Sequence, residues 1–166
     1  TMTETASSFS VHPIGYVQTS EQEGRYEIKI LPAYINALER LDNFSHVTVV
    51  WWAHRHDRPG DRKVLTTQLP YAPGIQAGVF ACRSEYRPNP IGITTMPILG
   101  IDQEHGRILL PWIDAFDGTP VLDLKPYLPT SDRVRDVKVA EWMQDWPEWM
   151  EEAGDFFAKN QTRFGN

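Results

Sequence analysis

The chain has 166 residues, 16 Lys+Arg against 22 Asp+Glu and a formal net charge of −6, which fits one domain able to bury about two-thirds of its unfolded surface. With 41% hydrophobic and 23% charged residues it is neither disordered nor fibrous, and its acidic balance argues against gripping nucleic acid over the whole surface while leaving room for a local basic patch. No apolar run approaches the ~20 residues of a membrane span, the opening residues lack a basic-then-apolar leader, and a lone Cys82 makes no internal disulfide, so a reducing cytoplasm is the expected home.

Thirteen prolines, well above the usual ~5%, break the chain into short pieces, because proline fixes φ and removes a backbone donor. Ile14 to Thr19 and Tyr26 to Ile30 are the first two predicted strands. Pro32 then opens a short helix with Tyr34, Ile35, Leu38 and Leu41 at helical spacing. Val47 to Trp52 is a third strand, and the polar segment His54 to Lys63 is expected as a mobile loop. Val64 to Gln68, Gly78 to Ala81, Ile93 to Ile101, Ile108 to Trp112 and Val121 to Leu124 complete the strands. Their spacing leaves no room for a helix between each pair, which excludes a doubly wound parallel sheet and predicts a mainly antiparallel barrel or sandwich. A last helix is predicted from Asp145, with Asp145 as cap, Glu148 completing a capping box and Pro147 in the first turn. Its apolar face would be Trp149, Met150, Ala153, Phe156 and Phe157, opposite Glu148, Glu151, Glu152 and Asp155.

Three segments call for chemistry. In Cys82 to Gly92 (CRSEYRPNPIG) two prolines flank Asn89 and stiffen the backbone, so that Arg83, Ser84, Arg87 and Asn89 hang on a rigid frame. Arginine forks on such a frame suit a carboxylate or phosphate, and the competing possibility is a tight turn whose arginines pair nearby. In Trp112 to Tyr127, Asp117-Gly118 is a turn signal and Asp117 with Thr119 can close that turn. Asp114 lies among apolar neighbours after a strand end, where a carboxylate can accept from an amine or a ribose hydroxyl. In Phe44 to His56, His54 and His56 share a face if the strand continues, but two histidines without a third ligand are weak evidence for a metal and none is expected. His46 is expected to be a satisfied histidine. There is no G-x-G-x-x-G after a strand, no P-loop, no G-x-S-x-G and no H-E-x-x-H.

Taken together, Gly78 to Gly92 (GVFACRSEYRPNPIG), Asp114 to Pro129 (DAFDGTPVLDLKPYLP), the Phe-Ser-His of Phe44 to His46 and the later His54 resemble the TsaA-like family, which includes the TrmO and YaeB-like proteins. The resemblance runs from about Pro13 to Pro129, in the family's order. It implies a small antiparallel β-barrel, one domain over 1–166 with a core at about 10–130 and a helical extension at about 138–160. It also implies S-adenosylmethionine as cofactor, a homodimer, and methylation of a tRNA adenosine beside the anticodon, at the exocyclic nitrogen that carries a threonylcarbamoyl group. By motif, Arg83 matches the family's cofactor-contacting arginine, Ile93 and Trp112, Ile113, Asp114 and Ala115 further walls of that pocket, and His54 and Arg55 the positions that close over the ligand. Arg87, Asn89, Lys125 and Tyr127 are then expected toward the substrate. Where family members carry a Pro-Arg-Gln stretch, this chain has the short acidic loop Thr19 to Gly24, and where longer members continue into a tRNA-associated domain it has the Trp-rich helix.

Methyl transfer from a sulfonium needs an aligned nucleophile and no protein nucleophile. A base is needed where an amide-like nitrogen must lose a proton, and His54 and Asp117 are the candidates. Two other functions compete: methylation of a small metabolite, suited to the acidic surface, and a non-enzymatic sensor of the cofactor that offers Trp142, Trp146 and Trp149 to a partner. Packing of those tryptophans on the body of the domain is the expectation against the sensor. Arg55, Arg58, Arg62, Lys63, Arg83 and Arg87 concentrate positive charge in the two candidate segments.

Overall fold

The computed structural model describes residues 7–164 of the chain. Nine strands and short helical turns make up the described residues: β1 (Gly15–Ser20), β2 (Arg25–Ile30), β3 (His46–Trp52), β4 (Thr66–Gln68), β5 (Gln76–Gly78), β6 (Ile91–Pro97), β7 (Gly100–Asp102), β8 (Arg107–Leu110) and β9 (Pro120–Pro126). The α-helical segments are α1 (Pro59–Arg62), α2 (Pro129–Asp132) and α3 (Met150–Lys159). Seven strands form one sheet in the order β6-β3-β9-β1-β2-β8-β7, with β4 and β5 apart as a hairpin. Every pairing is antiparallel, so the mainly β, antiparallel expectation holds.

Alternation builds the core. In β3 the side chains of Val47, Val49 and Trp51 are buried while His46, Thr48, Val50 and Trp52 are half-buried on the other face. Val17, Ile28, Ile30, Ile108, Leu110 and Val121 join them in a single apolar cluster. Each such side chain removed from water contributes roughly 1.5–3 kcal/mol. The two ends of the sheet order, β6 and β7, are joined by only Ile98 and Leu99. The Ile98 amide donates to the Ser45 carbonyl at 2.9 Å and the Leu99 amide to the Leu109 carbonyl at 2.9 Å. One continuous segment therefore leaves the β3 edge and arrives at the β8 edge.

Several local expectations are corrected. The predicted strand Gly78 to Ala81 ends at Gly78, because Val79 turns inward to 2% exposure and Val79–Ala81 form a 3₁₀ turn. The predicted Ile93 to Ile101 strand is divided at Pro97, which closes β6. The helix after β2 forms at Pro32–Leu38 but winds as 3₁₀. The His54 to Lys63 segment folds into two helical turns, His54–His56 and α1, instead of a loop. The last helix starts at Met150 with Trp149 as an uncapped N-cap, not at Asp145. Pro147 forces the residue before it out of helical geometry, and the Asp145 carboxylate is taken by both arms of Arg163.

Of the C-terminal aromatics, Trp146 packs against the domain, while Trp149 stays 49% exposed. Trp146 lies edge-on to Tyr71 at 5.2 Å between ring centroids and to Phe157 and Phe164 at 5.3 and 5.5 Å, geometry that favours aromatic pairs. Burial pushes the Tyr71 phenol above its ordinary value, and the nearby Cys82 adds to the effect. The hydrogen bond from Arg163 holds the Asp145 carboxyl below its ordinary value. A carboxylate whose pKa is depressed by folding supports the fold above its unfolded value and stops doing so as pH falls through the folded one. The Arg163 tie is therefore expected to fail as pH drops below about 3.9, so that α3 loosens before the sheet. Amide exchange in α3 against β3, followed from pH 6 to pH 3, checks this. Equal protection of both elements throughout would contradict it.

Candidate functional site

Two recesses flank the β3–β6 ribbon. Register decides which residues reach each. Trp51 pairs with Gly92 and Val49 with Thr94 on the core face, while Thr48 pairs with Thr95 and Val50 with Ile93 on the opposite face. The core-side recess holds about 20 Å³ and is lined by Trp51, His54, Arg55, His56, Glu85 and Asp114, together with Ala53, Phe116 and Thr119. The outer recess holds about 240 Å³ and is lined by Thr48, Arg83, Ile93, Thr95, Tyr127 and Asp132. Arg83 and Glu85 face different recesses yet are two residues apart, at most ~7 Å of extended chain, so the two recesses border the same piece of backbone.

A relay of hydrogen bonds fixes the core-side recess. The Trp51 indole N–H donates to Thr94 Oγ1 at 3.0 Å, and the Thr94 hydroxyl donates to Asp114 Oδ1. Thr94 is 6% exposed, so the carboxylate of Asp114 is held from below by a buried hydroxyl. Gly92 makes the relay possible, because the Trp51 ring lies directly over its Cα, where any side chain would stand. His54 Nδ1 pairs with the buried Thr119 hydroxyl at 3.3 Å. The Arg55 guanidinium lies 3.8 Å above the Phe116 ring, a stack that holds a cation at the mouth while leaving its in-plane donors usable.

The predicted site residues divide between these places. His54, Arg55 and Asp114 meet in the core-side recess although sixty positions separate the first from the last. Arg83 and Ile93 meet Tyr127 in the outer one. Ile113 and Ala115 are buried in the apolar cluster, which leaves their backbone as what they can offer a ligand, and Trp112 is 49% exposed and lines neither recess. Asp117 accepts from the Thr19 amide at 3.0 Å, tying its turn to the end of β1 instead of closing the turn with Thr119. Arg87 donates to the carbonyls of Cys82 and Ser84 at 3.1 and 3.0 Å. Asn89 accepts from Arg62 at 3.1 Å, and Arg62 also grips the Pro88 carbonyl at 2.8 Å. Arg87 and Arg62 thus hold the Pro-Asn-Pro frame rigid. Lys125 pairs with Asp123 at 2.8 Å, and that bond raises its pKa. His46 is satisfied by the Ser45 hydroxyl at 2.7 Å and rests near the Tyr127 ring.

Sequence reasoning passed over Trp51, Glu85, Thr94, Phe116 and Thr119. Gly92 within a strand was the available sign that a ring approaches the backbone there. Thr94 carries no such sign, since threonine in a strand is ordinary, and Thr119 reads in the sequence only as a turn residue. By chemistry, Arg83 in the outer recess suits a carboxylate, while Asp114 and Glu85 in the core-side recess suit amine or hydroxyl donors. His56 Nδ1 is buried in this region without a hydrogen-bond partner.

A protein-family model, the tRNA-methyltransferase O N-terminal domain, matches residues 10–133. This chain belongs to that family. An S-adenosyl-L-methionine-binding protein of Archaeoglobus fulgidus is 34% identical over 138 residues, covering 76% of this chain and 94% of the relative. A mouse tRNA (adenine(37)-N6)-methyltransferase is 36% identical over 104 residues, which span 63% of this chain and 23% of that protein. A crystal structure of TrmO from Pseudomonas aeruginosa superposes with a TM-score of 0.63 at 27% identity, over 95% of this chain and 79% of that one. Among the described residues no helix is long and apolar enough to cross a membrane.

Proposed function

We propose that this methyltransferase acts on the exocyclic nitrogen of a threonylcarbamoyl-bearing adenosine next to the tRNA anticodon, as a cytoplasmic homodimer. The gathering of His54, Arg55 and Asp114 in one recess, within a chain of the tRNA-methyltransferase O family, carries the reading. S-adenosylmethionine supplies an electrophilic methyl group on a sulfonium. The chain's own residues bind and orient. Arg83 pairs a carboxylate, Asp114 accepts from an amine or hydroxyl, Ile93 and the backbone of Ile113 and Ala115 add walls, and Arg55 on Phe116 closes the mouth. Tyr127 and Lys125 face the substrate, and Arg87 and Asn89 contribute by fixing the frame that carries Arg83. Of the two candidate bases, His54 lines the recess. The passage of one chain segment from the β3 edge to the β8 edge supports closure of the sheet as a barrel.

Positive charge for a polyanion is local. Arg58 pairs with Asp61 at 3.2 Å, and Arg62 and Arg87 are engaged with the frame; with Arg83 given to the cofactor, Arg55 and Lys63 are the cations of these two segments that remain for a tRNA loop. Titration calorimetry with the cofactor, followed by transfer of labelled methyl to total tRNA and mass analysis of its nucleosides, tests the reading. Label confined to small molecules would replace tRNA as substrate, and no cofactor binding at millimolar concentration would end the methyltransferase assignment. Arg83→Ala is expected to weaken cofactor binding at least tenfold with an unchanged circular-dichroism spectrum, since a charge-assisted pair contributes about 1.5–3 kcal/mol. Unaltered affinity would remove Arg83 from the site.

A further inference from the structure

Two imidazoles line the core-side recess, and they differ in what holds them. His54 Nδ1 is engaged by the Thr119 hydroxyl. His56 Nδ1 is buried and has no hydrogen-bond partner, and the nearest acidic atom to it is Asp61 Oδ2 at 3.9 Å. That separation is too long for a hydrogen bond but sets the carboxylate beside the ring. The ring itself is clamped against Tyr86, with centroids 4.6 Å apart. Asp61 stands on α1, whose own position is fixed by Arg62 binding the Pro88 carbonyl and Asn89. The same helical turn is held by Arg58, which pairs with Asp61.

We propose that His56 is the proton acceptor of the methyl transfer and that Asp61 is the residue positioning it. The proposal rests on the function given above and deepens it. With Nδ1 turned toward Asp61, Nε2 is the nitrogen free to act as base, the division of labour seen wherever a carboxylate sets a histidine's tautomer. Catalytic hydrogen bonds are often long in the free enzyme and tighten around the substrate, so the 3.9 Å gap closes as His56 becomes charged. The N–H bond of the substrate nitrogen breaks, and its electron pair remains on nitrogen for the new N–CH₃ bond. The C–S pair stays on sulfur, and the proton moves to Nε2 of His56. Positive charge thus passes from sulfur to an imidazolium beside Asp61. Such a sink is useful because a nitrogen carrying a carbamoyl group is a poor nucleophile while it keeps its proton.

The groups that face His56 are Asp61 and Arg58 from the α1 turn, Tyr86 and Glu85 from the frame, His54 and Arg55 from its own turn, and Asp114 across the recess. His56→Asn, His54→Asn and Asp61→Asn are compared with the wild type in single-turnover transfer to tRNA across pH 5–9. Imidazole NMR of the free proteins accompanies the kinetics. His56→Asn is expected to bind the cofactor within threefold of wild type, to slow transfer by a hundredfold or more at pH 7, and to lose the acid limb of the rate profile. Asp61→Asn is expected to slow transfer tenfold or more with cofactor affinity unchanged, and Asp61→Glu, which keeps the carboxylate, to recover part of that rate. An acid limb that survives in His56→Asn, or disappears only in His54→Asn, would overturn the proposal while leaving the methyltransferase reading intact. Wild-type transfer rates in Asp61→Asn, or no recovery in Asp61→Glu, would overturn the role of Asp61. Absence of transfer by the wild type overturns both the substrate reading and this inference.

Discussion

Gly92→Ala is expected to lower stability by at least ~2 kcal/mol and to disturb a recess whose lining it does not belong to. A Cβ at position 92 would stand no more than 2.6 Å from Cε2, Cζ2 and Cη2 of Trp51, and Trp51 is only 8% exposed. The ring has nowhere to retreat without leaving a rotamer or pushing β3 from β6, and overpacking of this kind costs about 1–3 kcal/mol. Displacing the ring also strands its indole N–H, which now donates to Thr94, and an unpaired buried donor costs a further ~1–3 kcal/mol. In a domain of this size a loss of 2 kcal/mol lowers Tm by roughly 4–8 °C. Thermal unfolding of the purified variant measures it, and a Tm within 1 °C of wild type would show that the ring is not held as described. Trp51→Leu provides the control: with the indole gone, adding Gly92→Ala should cost far less, a coupling well above the few tenths of a kcal/mol found for independent sites.

Much of the fold was legible because its causes are local. The β-branched runs between prolines mark β1, β2, β3, β8 and β9 to within a few residues, since a short apolar run between breakers has little choice but to pair. The first helical turn after Pro32 was legible for the same reason. What failed depended on partners far along the chain. Val79 has the composition of a strand residue, but it turns inward to bury its side chain. Asp145 has the spacing of a helix cap, but Arg163, eighteen residues later, claims its carboxylate. Propensity cannot see either competitor. The path of Ile98 and Leu99 from one sheet edge to the other likewise leaves no periodic trace.

The site follows the same division. Motif residues with special backbone needs, such as Gly92 and the prolines around Asn89, stand out in a sequence. Whether an arginine beside them reaches a ligand or a carbonyl does not, and Arg83 and Arg87 went different ways: one lines a recess while the other ties its own loop to itself. Ile113 and Ala115 sit in a motif yet bury their side chains in the core. Motif membership therefore marks where the backbone must go, and only packing decides which atoms a ligand meets.

Asp114→Asn is expected to reduce cofactor affinity by about two- to thirtyfold while lowering stability little. Two properties of the carboxylate separate here. Its Oδ1 accepts from the Thr94 hydroxyl, a bond that the amide oxygen of asparagine can also accept. Its charge is what strengthens a bond to an amine or hydroxyl of the ligand, and charge assistance contributes about 1.5–3 kcal/mol against about 1 for a neutral pair. Replacing charge but keeping shape therefore removes binding and spares the relay. Asp114→Ala removes both: the Thr94 hydroxyl, 6% exposed, loses its acceptor, and stability should fall by about 1–3 kcal/mol as well. Calorimetric titration paired with thermal unfolding reads both quantities on the same samples. If the asparagine variant keeps full affinity, Asp114 is a structural acceptor for Thr94 and the ligand's donors must be met by Glu85. If it loses stability as the alanine variant does, the Thr94 bond depends on charge. The pattern expected from the geometry is lost affinity with retained Tm in asparagine and loss of both in alanine, with Thr94→Val resembling alanine because it unseats Asp114 and Trp51 together.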